Sequence, residues 1–253
     1  SSEFDGQSPV QTWHLYLTDQ YSTDQGEYDY WELTINYSYV VDDQGPYAPG
    51  SVDITSNSTY DTGYSQTDNL TKERNPQFEW SKPSDRGASG TKNYYYWFIE
   101  NSSGSNVDDG TTTSTSVRPG NQSAGTYGFY VRAQDNEGNW GDWGYTSFII
   151  DTSGPSSPTP YSPSGEISSI SPTIYWTYSS STDWKYDVNL EYKYLGVYWN
   201  VSGWPKPAIR TGSIDTSGLS WETEYAVRVQ EYDIAGNPGG YGSWRYFTTH
   251  DNA

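Results

Sequence analysis

A Gly-Pro-x-x-Pro string occurs twice, as Gly45-Pro46-Tyr47-Ala48-Pro49 and Gly154-Pro155-Ser156-Ser157-Pro158, and the stretches that follow carry the same landmarks in the same order. Repetition on this scale constrains the fold more than any local signal, because each copy has to be one structural unit. Pro76-Gln77-Phe78-Glu79-Trp80 returns as Pro172-Thr173-Ile174-Tyr175-Trp176. Tyr127-x-Phe129-x-Val131-x-x-x-Asp135 returns as Tyr225-x-Val227-x-Val229-x-x-x-Asp233, and both reach Gly-Asn, at Gly138-Asn139 and Gly236-Asn237. Each copy ends on an aromatic-rich run, Tyr145 to Ile150 and Trp244 to Thr249. Apolar side chains alternate along these runs with period two, the period of a half-buried strand.

The copies divide the 253 residues into 44–152 and 153–253, with 1–43 in front. A two-sheet sandwich takes about 100 residues, so each copy is long enough to be one. The proline strings, preceded by Asp43 and Asp151, read as stiff linkers, because proline fixes its own φ and restricts its predecessor. Tyr (26) and Trp (12) are abundant, which suits strands, and Gly, Asn, Asp and Pro punctuate them. No segment sustains a helical period. The expected class is all-β.

Residues 44–250 resemble the fibronectin type III and bacterial immunoglobulin-like families. The resemblance rests on Trp80 and Trp176 in an early strand, the late Tyr-x-φ-x-Val pattern and the Asp-x-x-Gly-Asn turn. It implies tandem sandwiches and little about activity, since this fold hosts many unrelated roles. The second copy departs from the first between Asp183 and Pro207, where Trp184, Tyr194, Tyr198, Trp199 and Trp204 crowd together. A sandwich core is the ordinary place for such rings, but their density in one variable stretch makes it the expected contact surface. Trp184, Trp199 and Trp204 are the expected ligand contacts.

Residues 1–41 match neither copy. Trp13, Leu15 and Leu17 alternate up to Asp19, and Trp31, Leu33 and Ile35 alternate after a turn through Asp24. This reads as a hairpin with one apolar face. Its spacing resembles the last two strands of the P domain, the jelly roll that follows the catalytic domain in many subtilisin-like convertases. Thr23 stands where that family usually has glycine before the turn acid. Two strands alone cannot bury their apolar face or satisfy both edges. The six large side chains are therefore expected in an interface, supplied by a neighbouring repeat, by further sequence or by another chain.

Chemistry is scarce. Cysteine is absent, which excludes disulfides and thiolate chemistry. The net charge of −19 excludes the electrostatic footprint of a nucleic-acid or anionic-lipid binder. No apolar run has the length of a membrane span. The histidines, His14 and His250, have no catalytic motif around them, so the chain is read as non-enzymatic. No cofactor is expected, though acidic loops admit calcium, and Asp135, Asp19 and Asp24 are the candidate ligands. Local hydrogen bonding by Asp and Asn explains the Asp135–Asn139 turn equally well. Asn-x-Ser/Thr occurs at Asn36, Asn57, Asn69, Asn101, Asn121 and Asn200, against roughly three expected by chance.

The sequence thus leads to a structural or adhesive extracellular glycoprotein at the cell surface. Self-association into a filament through residues 1–41 is the expected partnership. The alternatives are a C-terminal accessory fragment of a secreted subtilisin-like protease and a carbohydrate-binding module.

Overall fold

The computed structural model describes residues 41–178 and 183–251, side chains of 183 and 184 excepted. Residues 1–40, with the hairpin expected there, lie outside the described residues. Residues from Asp43 onward form one compact unit holding both repeats. Every regular element in them is a strand, as the residue composition demands.

The first repeat contributes β1 (Gly50–Ile54), β2 (Leu70–Thr71), β3 (Phe78–Ser81), β4 (Thr91–Glu100), β5 (Ser105–Thr112), β6 (Ser116–Val117), β7 (Gly125–Asp135) and β8 (Gly144–Ile150). They form a three-stranded sheet, β1-β3-β6, facing a five-stranded one, β2-β8-β7-β4-β5. The second repeat contributes β9 (Thr159–Ser162), β10 (Gly165–Ile167), β11 (Thr173–Thr177), β12 (Asp183–Tyr194), β13 (Val197–Asn200), β14 (Lys206–Ile209), β15 (Ser213–Asp215), β16 (Thr223–Asp233), β17 (Pro238–Tyr241) and β18 (Arg245–Thr249). Its sheets run β15-β11-β9 and β10-β18-β16-β12-β13, with β14 added to β12 and β17 to β16.

Both repeats change sheets at the same place. β1 pairs antiparallel with β3, after which β2 crosses over and pairs parallel with β8. β9 and β10 do the same against β11 and β18. The crossover takes residues 55–69 in the first repeat but only a two-residue turn in the second.

Alternation places the core. Phe78 and Trp80 of β3 are buried while Glu79 and Ser81 face out. Phe78 stacks on Phe129, centroids 4.1 Å apart, and meets Phe148 edge-on. The second core is more aliphatic, with Ile174, Val188, Leu190, Val227 and Val229 around Trp176 and Phe247. Each of these side chains contributes roughly 1.5–3 kcal/mol on burial. The two early tryptophans do one job in both cores. Trp80 sits edge-on to Tyr94 at 5.3 Å, and Trp176 edge-on to Tyr186 at 5.4 Å.

That pairing corrects one expectation. The stretch from Asp183 does have a counterpart in the first repeat. β12 pairs with β16 as β4 pairs with β7, Asp183 opposite Asp233 and Thr91 opposite Asp135. The β12–β13 hairpin therefore corresponds to β4–β5. Different residues hid the match: Phe98 opposite Phe129 becomes Leu190 opposite Val227.

The proline strings are likewise more than spacers, since each lies tight along its own module. A Cβ on Gly45 would fall 2.3 Å from the Trp140 carbonyl oxygen, and one on Gly154 2.2 Å from that of Pro238. Only glycine permits so close an approach of two backbones.

Candidate functional site

The crossover loop 55–69 meets the second module's turn at 233–237, and backbone and side-chain groups are matched across the contact. The Tyr64 N–H donates to the Ile234 carbonyl at 2.9 Å. The Thr62 hydroxyl donates to Ala235 O at 2.8 Å, and the Lys72 ammonium to Gly236 O at 2.7 Å. In the other direction, the Asn237 amide donates to Asp151 O at 2.8 Å. The Arg210 guanidinium lies 5.0 Å over the Tyr64 ring. Three consecutive carbonyls of one turn thus find donors on the neighbouring module.

Each partner is prepared locally. The Asp233 carboxylate accepts from the backbone N–H of Asn237 at 2.8 Å and from its side-chain amide at 3.0 Å, closing the turn. Asp135 closes the first module's turn identically, accepting from Asn139 at 2.7 and 2.9 Å. The loop is held by Thr62 and Thr71. The Lys72 N–H donates to the Thr62 hydroxyl at 2.8 Å, and the Thr71 hydroxyl donates to Tyr60 O at 2.7 Å. Gly63 sits at φ +99° between Thr62 and Tyr64, and a Cβ there would lie 2.0 Å from Ile234 O.

Asp61 lies in this loop, fully buried. Burial pushes its carboxyl up to about 6, and the charges of Asp68 and Asp53 add to the rise. Hydrogen bonds from the backbone N–H groups of Asn69, 3.4 Å from Oδ2, and of Asp68 act against it.

A second feature lies on the outer face of the first module. The Arg132 guanidinium is inserted between Trp140 and Trp143, 4.6 Å from each ring. Tyr95, Trp97, Tyr130 and Tyr145 continue the surface, Tyr130 against Tyr145 at 4.6 Å and Trp97 against Tyr130 at 5.6 Å. In the second module Arg228 lies between Tyr241 and Trp244, at 4.2 and 4.5 Å. Cation–π contacts of this kind keep a row of aromatic rings ordered on a solvated sheet.

The structure separates residues that the sequence grouped. Trp199 is 56% exposed on β13, whereas Trp204 packs against the second core with the Lys206 ammonium 5.7 Å from its ring. The side chain of Trp184 lies outside the described residues. So do Trp13, Leu15, Leu17, Trp31, Leu33, Ile35, Asp19, Asp24 and Asn36. Asp135 is buried, and both its oxygens accept from Asn139.

The sequons also differ in setting. Asn101, Asn121 and Asn200 are exposed. Asn57 caps its own loop, its Oδ1 accepting from Thr59 and Tyr60 N–H. Asn69 is half-buried and donates its amide to the Thr146 hydroxyl at 3.3 Å. His250 bridges two carboxylates, Nδ1 2.8 Å from Glu222 and Nε2 3.6 Å from Glu166.

Sequence reasoning missed Thr62, Lys72, Asp61 and the joint they build. A signal was present: the interval from Pro49 to Pro76 is nearly double that from Pro158 to Pro172. Extra length at one point of a repeat marks a loop with its own task.

Comparison with known proteins bears on the fold. The family model of the bacterial Ig-like domain matches residues 48–152. Among solved structures, chicken CNTN1 FN1-FN3 domains are 15% identical, over 82% of this chain and 69% of that one, with a TM-score of 0.44. Clostridium thermocellum CbhA fibronectin(III)-like modules are 11% identical, over 72% of this chain and 87% of that one, with a TM-score of 0.42. No curated protein sequence matches. Domains of this kind are commonly surface-exposed and typically non-catalytic. The first module matches the bacterial Ig-like domain and the second repeats its strand order and register, so the described chain is a tandem of immunoglobulin-like sandwiches.

Proposed function

We infer that the chain is a stiff, non-catalytic spacer within an extracellular structural or adhesive protein. The observation that carries this reading is the joint, in which the carbonyls of Ile234, Ala235 and Gly236 are bonded by the neighbouring module. Beads on a flexible string need no such matching. A turn whose carbonyls are claimed across the boundary resists bending, because each lost bond would expose a desolvated acceptor.

Nuclear relaxation of the full chain tests it. The two modules should share one rotational correlation time and one diffusion tensor. Separate tensors would remove the spacer reading.

The filament belongs to the same proposal. It rests on the six apolar side chains of residues 1–41, which need cover, and on strand addition as the way to provide it. Sedimentation and electron microscopy of the full chain test it, and a monomer at all concentrations counts against it.

The aromatic surface around Trp97, Tyr130 and Trp143 favours a second reading, polysaccharide binding by ring stacking. Affinity electrophoresis in polysaccharide gels decides it, through retardation that Trp143→Ala abolishes.

A further inference from the structure

Asp61, at 0% exposure, is the immediate neighbour of the threonine that grips the second module. Its Oδ2 accepts from the backbone N–H groups of Asn69, at 3.4 Å, and of Asp68. Its Oδ1 has no hydrogen-bond partner among the described residues. The backbone is pinned on both sides of it. The Asp61 N–H donates to Asn57 O at 2.9 Å, and the Tyr60 carbonyl accepts from the Thr71 hydroxyl. The Thr62 hydroxyl links the Lys72 N–H to Ala235 O. The carboxyl therefore reaches water only when the loop lets go of the joint.

The surrounding charges give it no relief. Asp68 of the same loop and Asp53 of β1, itself opposite Glu79 of β3, both oppose its ionisation. Each accepts from a local N–H, Asp53 from Ile54 and Asp68 from Leu70. Lys72, the cation closest in sequence, gives its ammonium to Gly236 O. Asp151, after β8, accepts from the Ser153 N–H. From the second module, the turn brings Asp233, whose oxygens accept from Asn237, and Arg210 lies over the Tyr64 ring.

A buried carboxyl with an unpartnered oxygen and acids around it keeps its proton, because the neutral form costs far less to desolvate. We propose that Asp61 is a pH-sensitive latch: protonated, it lets the crossover loop hold the second module's turn, and ionised, it drives that hold toward opening. The latch rests on the spacer reading, in that it acts on the same joint. Burial keeps the carboxyl at about 6 in the closed joint, against about 3.9 once it is hydrated. Below about 3.9 both forms carry the proton and closure is tightest. From there to about 6 only the open form ionises, so closure weakens about tenfold per pH unit. Above about 6 both forms are charged, and the weakening levels off near a hundredfold. The other bonds of the joint still act there, so the latch sets its tightness and does not abolish it.

Hydrogen exchange of the full chain, read by nuclear magnetic resonance, tests this at the Tyr64 and Lys72 amides. Their acceptors are Ile234 O and the Thr62 hydroxyl. Protection, corrected for intrinsic exchange rates, should fall about twentyfold from pH 4.5 to pH 7 and stay level to pH 8. The Asp61 carboxyl carbon should titrate near 6, where the fall levels off. Asp61→Asn, checked for folding by near-UV circular dichroism, mimics the protonated form and should hold protection flat over that range. Flat wild-type protection overturns the proposal, and so does an Asp61→Asn chain that folds and keeps the wild-type fall. If that variant does not fold, wild type alone decides. A carboxyl carbon that titrates in the ordinary aspartate range, or a fall that levels off away from its titration, overturns the latch equally. Nuclear relaxation at pH 4.5 separates the two readings. Separate diffusion tensors there remove the spacer, whereas a shared tensor with flat protection removes the latch alone.

Discussion

The Thr62 hydroxyl donates a 2.8 Å hydrogen bond to the carbonyl of Ala235, in the other module. Both residues are buried, so the bond stands where water does not compete. Thr62→Val keeps the shape and removes the hydroxyl, leaving Ala235 O without its donor and the Lys72 N–H without its acceptor. The expected cost is about 1–3 kcal/mol to the coupling between modules. Nuclear relaxation should show faster independent motion of the two modules, while chemical shifts in both cores stay in place.

Gly63→Ala should act on the same joint more severely. A left-handed backbone at φ +99° costs an alanine about 1–2 kcal/mol, and its Cβ would overlap Ile234 O. Each module keeps its own core, so the expected outcome is an opened joint rather than an unfolded protein. Calorimetry should resolve two transitions where wild type shows them coupled.

Phe129→Ala tests the first core. Phe129 is 0% exposed and stacked on Phe78, so truncation should cost about 3–5 kcal/mol. With the joint weakened by Thr62→Val, the loss should fall on the first module alone. Denaturant unfolding followed by peptide-level hydrogen exchange would assign it.

Glycan occupancy should follow exposure and not the sequon alone. In a host with the machinery, Asn101, Asn121 and Asn200 should be modified. Asn69 should remain bare, because its amide nitrogen is held by Thr146 in a half-buried site. Peptide mapping by mass spectrometry gives the answer site by site.

The second module carries a pH-sensitive pair. Burial, and then the hydrogen bond to Glu224, raise the Tyr198 hydroxyl well above the usual tyrosine range. The same hydrogen bond, followed by Lys193, holds the Glu224 carboxyl below the usual carboxylate range. A depressed acid stabilises above its unfolded value, about 4.3, and loses that stabilisation as pH falls through the folded value. A raised phenol keeps its proton when folded, so stability falls as pH rises past about 10, where the unfolded chain ionises first. Glu224→Gln should flatten the acid limb of the stability curve and return Tyr198 ionisation toward its usual range, as read by ultraviolet titration.

The sequence by itself determined the fold class and the duplication. Period-two alternation through Phe78–Trp80 and Tyr127–Val131, returned at Ile174–Trp176 and Tyr225–Val229, leaves a strand with one buried face as the arrangement that hides those side chains. It also placed the Asp-x-x-Gly-Asn turns, because an aspartate bonding to an asparagine four residues on is a local event. What it did not disclose is non-local. The match of Asp183–Asn200 to Thr91–Thr112 depends on pairing with β16 and β7, not on residue likeness. Trp199 and Trp204 read alike in a string, yet Trp199 on β13 faces solvent while Trp204, in the connection to β14, packs against the core, which only the folded path of that connection decides. The joint lies deepest of all. Thr62, Lys72 and Gly63 are ordinary loop residues until a turn distant in sequence presents its carbonyls to them. Hydrogen bonds between desolvated groups depend on distances of a few tenths of an ångström, and only the packed chain sets those.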